Sequence, residues 1–248
     1  MSSVKSIAIL NIGDEILSGR TENSNATFMA RALVGLDVVL DRILILPDSV
    51  PEIAEAVLEL GRRHDLVFTT GGIGSTPDDL TYEAFSEAFG VPLVLNNDLF
   101  NIVKKRHKGS DRWIRRMASP PEGCHMKFGG EYDWPLISFR NFHILPGVPE
   151  LMRDKFRLAT ADFPSAPLYR AQITTLQPEA SFAGIMLKIM QNHERVKIGS
   201  YPKMKPVRRT QITFSSPNLP DVQAAFDEFL SLLEEDLVQE RRNPAFFA

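Results

Sequence analysis

The chain has 248 residues, 44% of them hydrophobic, enough for one large domain or for a domain of about 160 residues with a smaller companion. Its net charge of −3 excludes a general nucleic-acid-coating role and leaves open only a local basic patch, while the single cysteine, Cys124, excludes an intramolecular disulfide. No apolar run is long enough to span a bilayer and the first residues lack a signal-peptide pattern, so a cytoplasmic protein without a membrane partner is expected.

In chain order, residues 6–12 (Ser-Ile-Ala-Ile-Leu-Asn-Ile) have the unbroken apolar character of a buried strand that ends at Gly13-Asp14-Glu15. Residues 23–36 carry Phe28, Met29, Ala32, Leu33 and Leu36 at helical spacing. Residues 38–46 predict a second strand ending at Pro47-Asp48-Ser49, and residues 51–63 a helix with Pro51 in its first turn. A third strand at 65–68 runs into a glycine turn, after which residues 82–89 return to helical spacing. Strands alternating with helices of this length predict an α/β fold, with three α/β/α layers around a mostly parallel sheet.

Further along, residues 91–95 predict a strand, 97–107 a helix, 108–116 a polar basic stretch and 128–134 a loop or hairpin tip. Strands at 136–139 and 141–145 follow, and Pro146-Gly147-Val148-Pro149-Glu150 turns into a helix at 151–158. The structure-breaking segment 161–167 separates a first domain, 1–162, from a second, 167–248. The second domain reads strand 168–175, helix 181–191, strands 196–201 and 208–215, helix 222–237, a small α+β unit of βαββα order and ferredoxin-like character.

Residues 69–81 (Thr-Thr-Gly-Gly-Ile-Gly-Ser-Thr-Pro-Asp-Asp-Leu-Thr) are the most informative stretch. A glycine turn between a strand and a helix lets a ligand approach the backbone, and the helix N-terminus offers N–H groups to an anion. Gly71, Gly72 and Gly74 would form the cradle, Ser75, Thr76 and Thr81 would add hydroxyls, and Asp78 and Asp79 would sit beside it. Glycines after a strand also make plain turns, and Asp before a helix is an ordinary cap; Asp78 is the better cap of the pair, which leaves Asp79 for chemistry. The turn at Pro146 and Gly147 would complete the pocket, with Gly13 at the end of the first strand.

Four segments in this order are Ile12-Gly13-Asp14-Glu15-Ile16-Leu17-Ser18-Gly19, Thr70-Gly71-Gly72-Ile73-Gly74, Pro77-Asp78-Asp79-Leu80-Thr81 and Leu145-Pro146-Gly147-Val148-Pro149-Glu150. Together they resemble the molybdopterin-binding domain of the MogA and MoaB proteins, and more closely the N-terminal regions of competence/damage-inducible protein A (CinA) and of eukaryotic FAD synthase. The resemblance covers roughly residues 4–160. It implies a ligand pocket at the carboxyl ends of the strands, a GGxG turn that holds a pterin or nucleotide phosphate, and functional acids at Asp79 and Asp48. It also implies metal-dependent cleavage of pyrophosphates such as ADP-ribose or FAD, and a dimer or trimer. The PxRD form of the cofactor-synthesis proteins is Pro77-Asp78-Asp79 here, which disfavours adenylyl transfer to molybdopterin. Too few residues remain for the deamidase domain of CinA or the nucleotidyltransferase domain of FAD synthase.

A pyrophosphatase needs an anion clamp, a divalent metal and an activated water. Asp14, Asp48 and Asp79 would be the ligands of Mg, Mn or Co, with Asp48 and Asp79 as the catalytic acids and Glu15 and Asp78 as further hard donors; potassium is a further candidate ion. Against this, Asp14 and Glu15 could simply face water, Asp48 could cap a helix, and Asn23 and Asn25 could belong to a helix start. The alternatives are a pterin- or nucleotide-binding module without turnover, and adenylyl transfer in molybdenum-cofactor synthesis. The basic run 104–108, and Arg115 and Arg116, read as solvated helix faces, Cys124 as structural, and Trp113 and Trp134 as core or ring-stacking residues. The histidines lack zinc-ligand spacing.

Overall fold

The computed structural model describes residues 5–106 and 110–246. His107 and Lys108 of the basic run lie outside the described residues, as does the side chain of Arg106. The chain divides into two compact units, Met1–Pro164 and Ser165–Ala248.

The first unit runs β1 (Ser6–Ile12), α1 (Asp14–Leu17), α2 (Ser24–Ala32), β2 (Val39–Leu46), α3 (Val50–Arg63), β3 (Leu66–Thr70), α4 (Thr81–Phe89), α5 (Asn97–Arg106), α6 (Asp111–Met117), β4 (His125–Lys127), β5 (Leu136–Phe139), β6 (Phe142–Leu145) and α7 (Pro149–Thr160). Its six-stranded sheet has the order β2-β1-β3-β6-β5-β4. The first four strands of that order are parallel, and β5 and β4 complete the sheet antiparallel. Side chains alternate across β1. Ala8, Leu10 and Ile12 meet Ile53, Val57 and Leu60 of α3 and Phe85 of α4, whereas Ile7 and Ile9 meet Met29 of α2 and Phe156 of α7. Helices thus cover both faces, and the expected three layers around a mostly parallel sheet are present. Burial on both sides explains why β1 and β3 lack a polar face in the sequence.

Three local expectations change. Residues 91–95 form no strand; Leu93 makes only an isolated bridge to Pro121, because prolines at 92, 120 and 121 limit the donors available to a ladder. Of the polar stretch 108–116, residues 111–116 belong to the helix α6, anchored by buried Ile114. The short β4 lies next to β5 and had no apolar signature of its own.

The second unit runs β7 (Tyr169–Thr175), α8 (Glu179–Asn192), β8 (Lys197–Lys203), β9 (Arg209–Ser216), α9 (Leu219–Ser231), a short 3-10 turn (Glu235–Leu237) and β10 (Val238–Phe246). The sheet order is β10-β7-β9-β8, antiparallel throughout. Ala171, Ile173, Ile212 and Phe214 point to one face and pack against Phe182 and Ile189 of α8 and Phe226 and Phe229 of α9. The unit is therefore βαββαβ, one strand more than the sequence predicts. That last strand reads Gln239-Glu240-Arg241-Arg242-Asn243-Pro244 through its middle, polar and with a proline, as edge strands tolerate.

Candidate functional site

Four parallel strands of the first unit send their carboxyl ends to one edge of the sheet, where open α/β sheets bind ligands. There β1 passes into Gly13, β2 into Pro47-Asp48, β3 into Gly71 and β6 into Pro146-Gly147. These loops bound a cavity of about 460 Å³. Gly13, Asp48, Gly71, Gly72, Gly74, Ser75, Thr76, Asp79, Pro146 and Gly147 line it, as do Glu15 and Asp78. Ile12, Ile73, Val103, Met117, Trp134, Val148 and Leu151 form its apolar wall.

The glycine turn is held from several sides. Gly71 has φ +102°, and a Cβ there would run into the carbonyl oxygen of Ile12, so the turn passes directly over the end of β1. Buried Thr81, at the start of α4, donates from Oγ1 to Gly71 O at 2.9 Å and from its N–H to Gly72 O at 3.0 Å. Thr81 therefore pins the turn from beneath and does not line the cavity, contrary to the expected ligand contact. On the other side, Asn25 donates from Nδ2 to Gly147 O at 2.8 Å, and Thr70 Oγ1 donates to Pro146 O at 2.9 Å. Asn23 caps α2 by accepting from Ala26 N. The two asparagines belong to the framework joining β3, β6 and α2.

Asp79 lines the cavity and is also held inside the turn. Its Oδ1 accepts from Gly74 N at 2.6 Å, and its Oδ2 accepts from Thr76 N at 2.7 Å and Thr76 Oγ1 at 2.6 Å. The carboxylate closes the turn on itself. Asp78 is not the cap of α4; Leu80 holds that position and makes no side-chain bond. Arg116 closes the turn from outside. It donates from Nη1 to Thr76 O and from Nη2 to Asp79 O, and pairs through Nε with Glu83 at 2.7 Å. In the sequence Arg116 reads as part of a solvated face, because nothing in the Arg115-Arg116 pair marks which of the two turns inward.

The acids at the opposite side behave otherwise. Asp48 lines the cavity, half-buried, and its Oδ2 accepts from Asp14 N at 3.0 Å rather than capping α3, whose cap is Ser49. Burial first, then the negative charges of Asp14, Glu15 and Asp78, push the Asp48 carboxyl above the ordinary carboxylate range, although the Asp14 N–H works against them. Glu15 folds back over Gly13, which has φ +155° and no side chain to obstruct it. Asp14 supplies a backbone N–H but does not line the cavity. Among the described residues, no group of three or more His, Cys, Asp or Glu is arranged to hold a metal. Asp14, Asp48 and Asp79 thus do not form the converging set expected. Four carboxylates face the cavity, and with Asp79 already holding the turn, Asp48 and Glu15 still suffice for a small hard cation, because Mg²⁺ commonly takes one or two carboxylates together with substrate phosphates.

Residues 8–164 match the family described as the probable molybdopterin binding domain. The chain belongs to that family. Residues 167–242 match the middle domain of FAD synthase. A protein of Archaeoglobus fulgidus is 30% identical over 227 residues, covering 92% of this chain and 97% of its own. A CinA-like protein of Citrifermentans bemidjiense is 39% identical over 48% of this chain and 30% of its own length. A probable FAD synthase of Caenorhabditis briggsae is 28% identical over 91% of this chain and 50% of its own. Among solved structures, the CinA protein of Thermoplasma acidophilum, of unknown function, is similar with a TM-score of 0.57 and 30% identity, covering 64% of this chain and 98% of its own. The molybdopterin-binding fold and its CinA-like and FAD-synthase relationships agree with the resemblance read from the four motifs.

Cys124 is buried enough that its thiol is pushed up to about 12, an inert structural position. Val103, Met117 and Leu151 had no signal separating them from core residues, because an apolar cavity wall and a core have the same composition. Among the described residues, no helix is long and apolar enough to cross a membrane.

Proposed function

We propose that the first unit binds a phosphate-bearing nucleotide or pterin and hydrolyses the pyrophosphate of an ADP-ribose- or FAD-like dinucleotide with a divalent metal. One observation carries the reading: a glycine turn, an apolar wall and four carboxylates, Glu15, Asp48, Asp78 and Asp79, share a single cavity. In this reading the N–H groups of Gly72, Ile73 and Ser75 take phosphate oxygens, since Asp79 already engages those of Gly74 and Thr76. Trp134, Met117 and Val103 cover the planar ring of the ligand. Glu15 is the carboxylate placed to hold the metal together with the pyrophosphate's own oxygens. When bound, the ion neutralises the pyrophosphate charge and makes the attacking water more acidic. Water adds to one phosphorus, the bridging P–O bond breaks, and two phosphate monoesters leave. Asp48, which faces the same cavity beside Glu15, accepts the proton of that water.

The test is AMP release from ADP-ribose and FAD with Mg²⁺, Mn²⁺ or Co²⁺. Asp48→Asn should lower turnover by about 100-fold or more, the usual range for a lost general base. No product with any ion, or equal turnover by the variant, refutes the proposal. The engagement of Asp79 within the turn favours a second reading, a binding module without turnover. Tight calorimetric binding of the same ligands without product would support it.

A further inference from the structure

The sheet of the second unit is covered on one face by α8 and α9, and no described element of that unit covers the other. Strand register arranges the open face as a grid. Lys203 lies beside Arg209 in one row; Tyr201, Gln211, Thr174 and Glu240 form the next. Gly199, Thr213, Gln172 and Arg242 follow, and then Lys197, Ser215 and Arg170. Cations therefore mark both ends of the grid, while its middle holds an aromatic ring, amides and hydroxyls. The acids Glu179, Asp221, Asp227 and Glu228 lie on the two helices behind the sheet. Glu240, the acid on the open face, is already paired with Arg242 at 2.8 Å. Two shallow depressions sharing Lys203 and Gln211 run side by side across this face.

Tyr201 is 54% exposed, and a Cβ on Gly199 would lie 2.8 Å from its hydroxyl oxygen and 2.9 Å from its ring. The ring therefore lies along the strand over the glycine instead of standing away from it, and turns a flat surface outward. From Lys203 to Lys197 the strand spans roughly 20 Å at its usual rise per residue. Four-stranded sheets that bind single strands stack two or three bases over aromatic rings in this way.

We propose that this open face binds single-stranded nucleic acid. A base stacks on Tyr201, the amides and hydroxyls of Gln172, Gln211, Thr213 and Ser215 meet base edges, and the cations at the two ends of the grid meet the phosphates. The overall charge of −3 does not oppose this, because the positive charge is local to one face of one unit. A duplex fits poorly, since its bases cannot reach the ring.

The experiment is fluorescence anisotropy of the full chain with labelled 12-nucleotide mixed-sequence RNA, DNA of the same sequence and the matched duplex, over a salt series. Single strands should bind at least tenfold more tightly than the duplex, and the RNA and DNA arms show whether the 2′-hydroxyl is read. Tyr201→Leu should weaken binding about fivefold or more, the loss expected for one stacked base. The double variant K203E/R209E should weaken it more and flatten the salt dependence by about one unit of slope or more. These side chains stand on the open face, outside the core of the unit, and circular dichroism serves to check that the variants fold. Duplex bound as tightly as single strands, affinity unchanged in both variants, no binding, or binding only to vesicles of anionic lipid each overturns the proposal.

Discussion

Replacing Asp79 by alanine separates two meanings of an acid in this cavity. Three hydrogen bonds converge on the carboxylate, from Gly74 N at 2.6 Å, Thr76 N at 2.7 Å and Thr76 Oγ1 at 2.6 Å. Water can replace part of each in this half-open turn, so each contributes about 1 kcal/mol and the set about 3 kcal/mol to the order of the turn. If the turn must be ordered before it can accept a phosphate, that cost appears in binding, and 3 kcal/mol corresponds to about 100-fold in affinity. Arg116 still holds Thr76 O and Asp79 O from outside, which lowers the expected loss to between about 10- and 100-fold. Calorimetry with AMP and ADP-ribose in EDTA measures it without metal. Melting should shift by only a few degrees, because the turn is local. Wild-type affinity in EDTA combined with lost turnover in metal would refute this account, and would assign the carboxylate to the ion instead of to the turn.

Three further outcomes follow from the same geometry. Gly71→Ala should destabilise the first unit by about 3 kcal/mol, from a positive φ and a backbone collision, and lower the melting temperature by roughly 6–12 °C; an unchanged melt would contradict the close passage over Ile12. Arg116→Met should cost about 2 kcal/mol by removing a half-buried ion pair and two carbonyl contacts, and should weaken phosphate-ligand binding, whereas Arg115→Met should leave binding unaltered. His143 titrates ordinarily near 6.5 but is pushed down to about 4, first by burial and then by Lys127. Its folded pKa is depressed, so its contribution is complete above about pH 6.5 and disappears as pH falls towards 4, at most about 3 kcal/mol for a ring that retains some solvent contact. Denaturant melts of His143→Phe across that window should lose this part of the pH dependence, and identical slopes for both proteins would exclude it.

Strands β1 and β3 were legible because each is buried on two faces and so shows no polar face to disguise it; 6–12 is a strand in the sequence and β1 in the structure. The glycine turn was legible because only a special backbone needs Gly71 and Gly72 together. What escaped notice depends on direction rather than composition. Asp78 and Asp79 are chemically identical neighbours, and only the path of the turn decides that the second folds inward. Thr81 could serve a ligand or a carbonyl with the same hydroxyl, and its burial decided for the carbonyl. Helix α6 has two arginines in its last turn and one buried anchor, Ile114, too little for an apolar stripe. Strand β10 is an edge strand whose middle meets solvent on both sides, so no alternation survives to be read.

That last strand has a topological outcome. It returns alongside β7, the opening strand of the unit, with Phe246 opposite Tyr169 and their rings 5.9 Å apart. Entrance and exit of this module are adjacent, like the two ends of a bead on a necklace. A module closed in this way can be slotted between two neighbours without prising them apart.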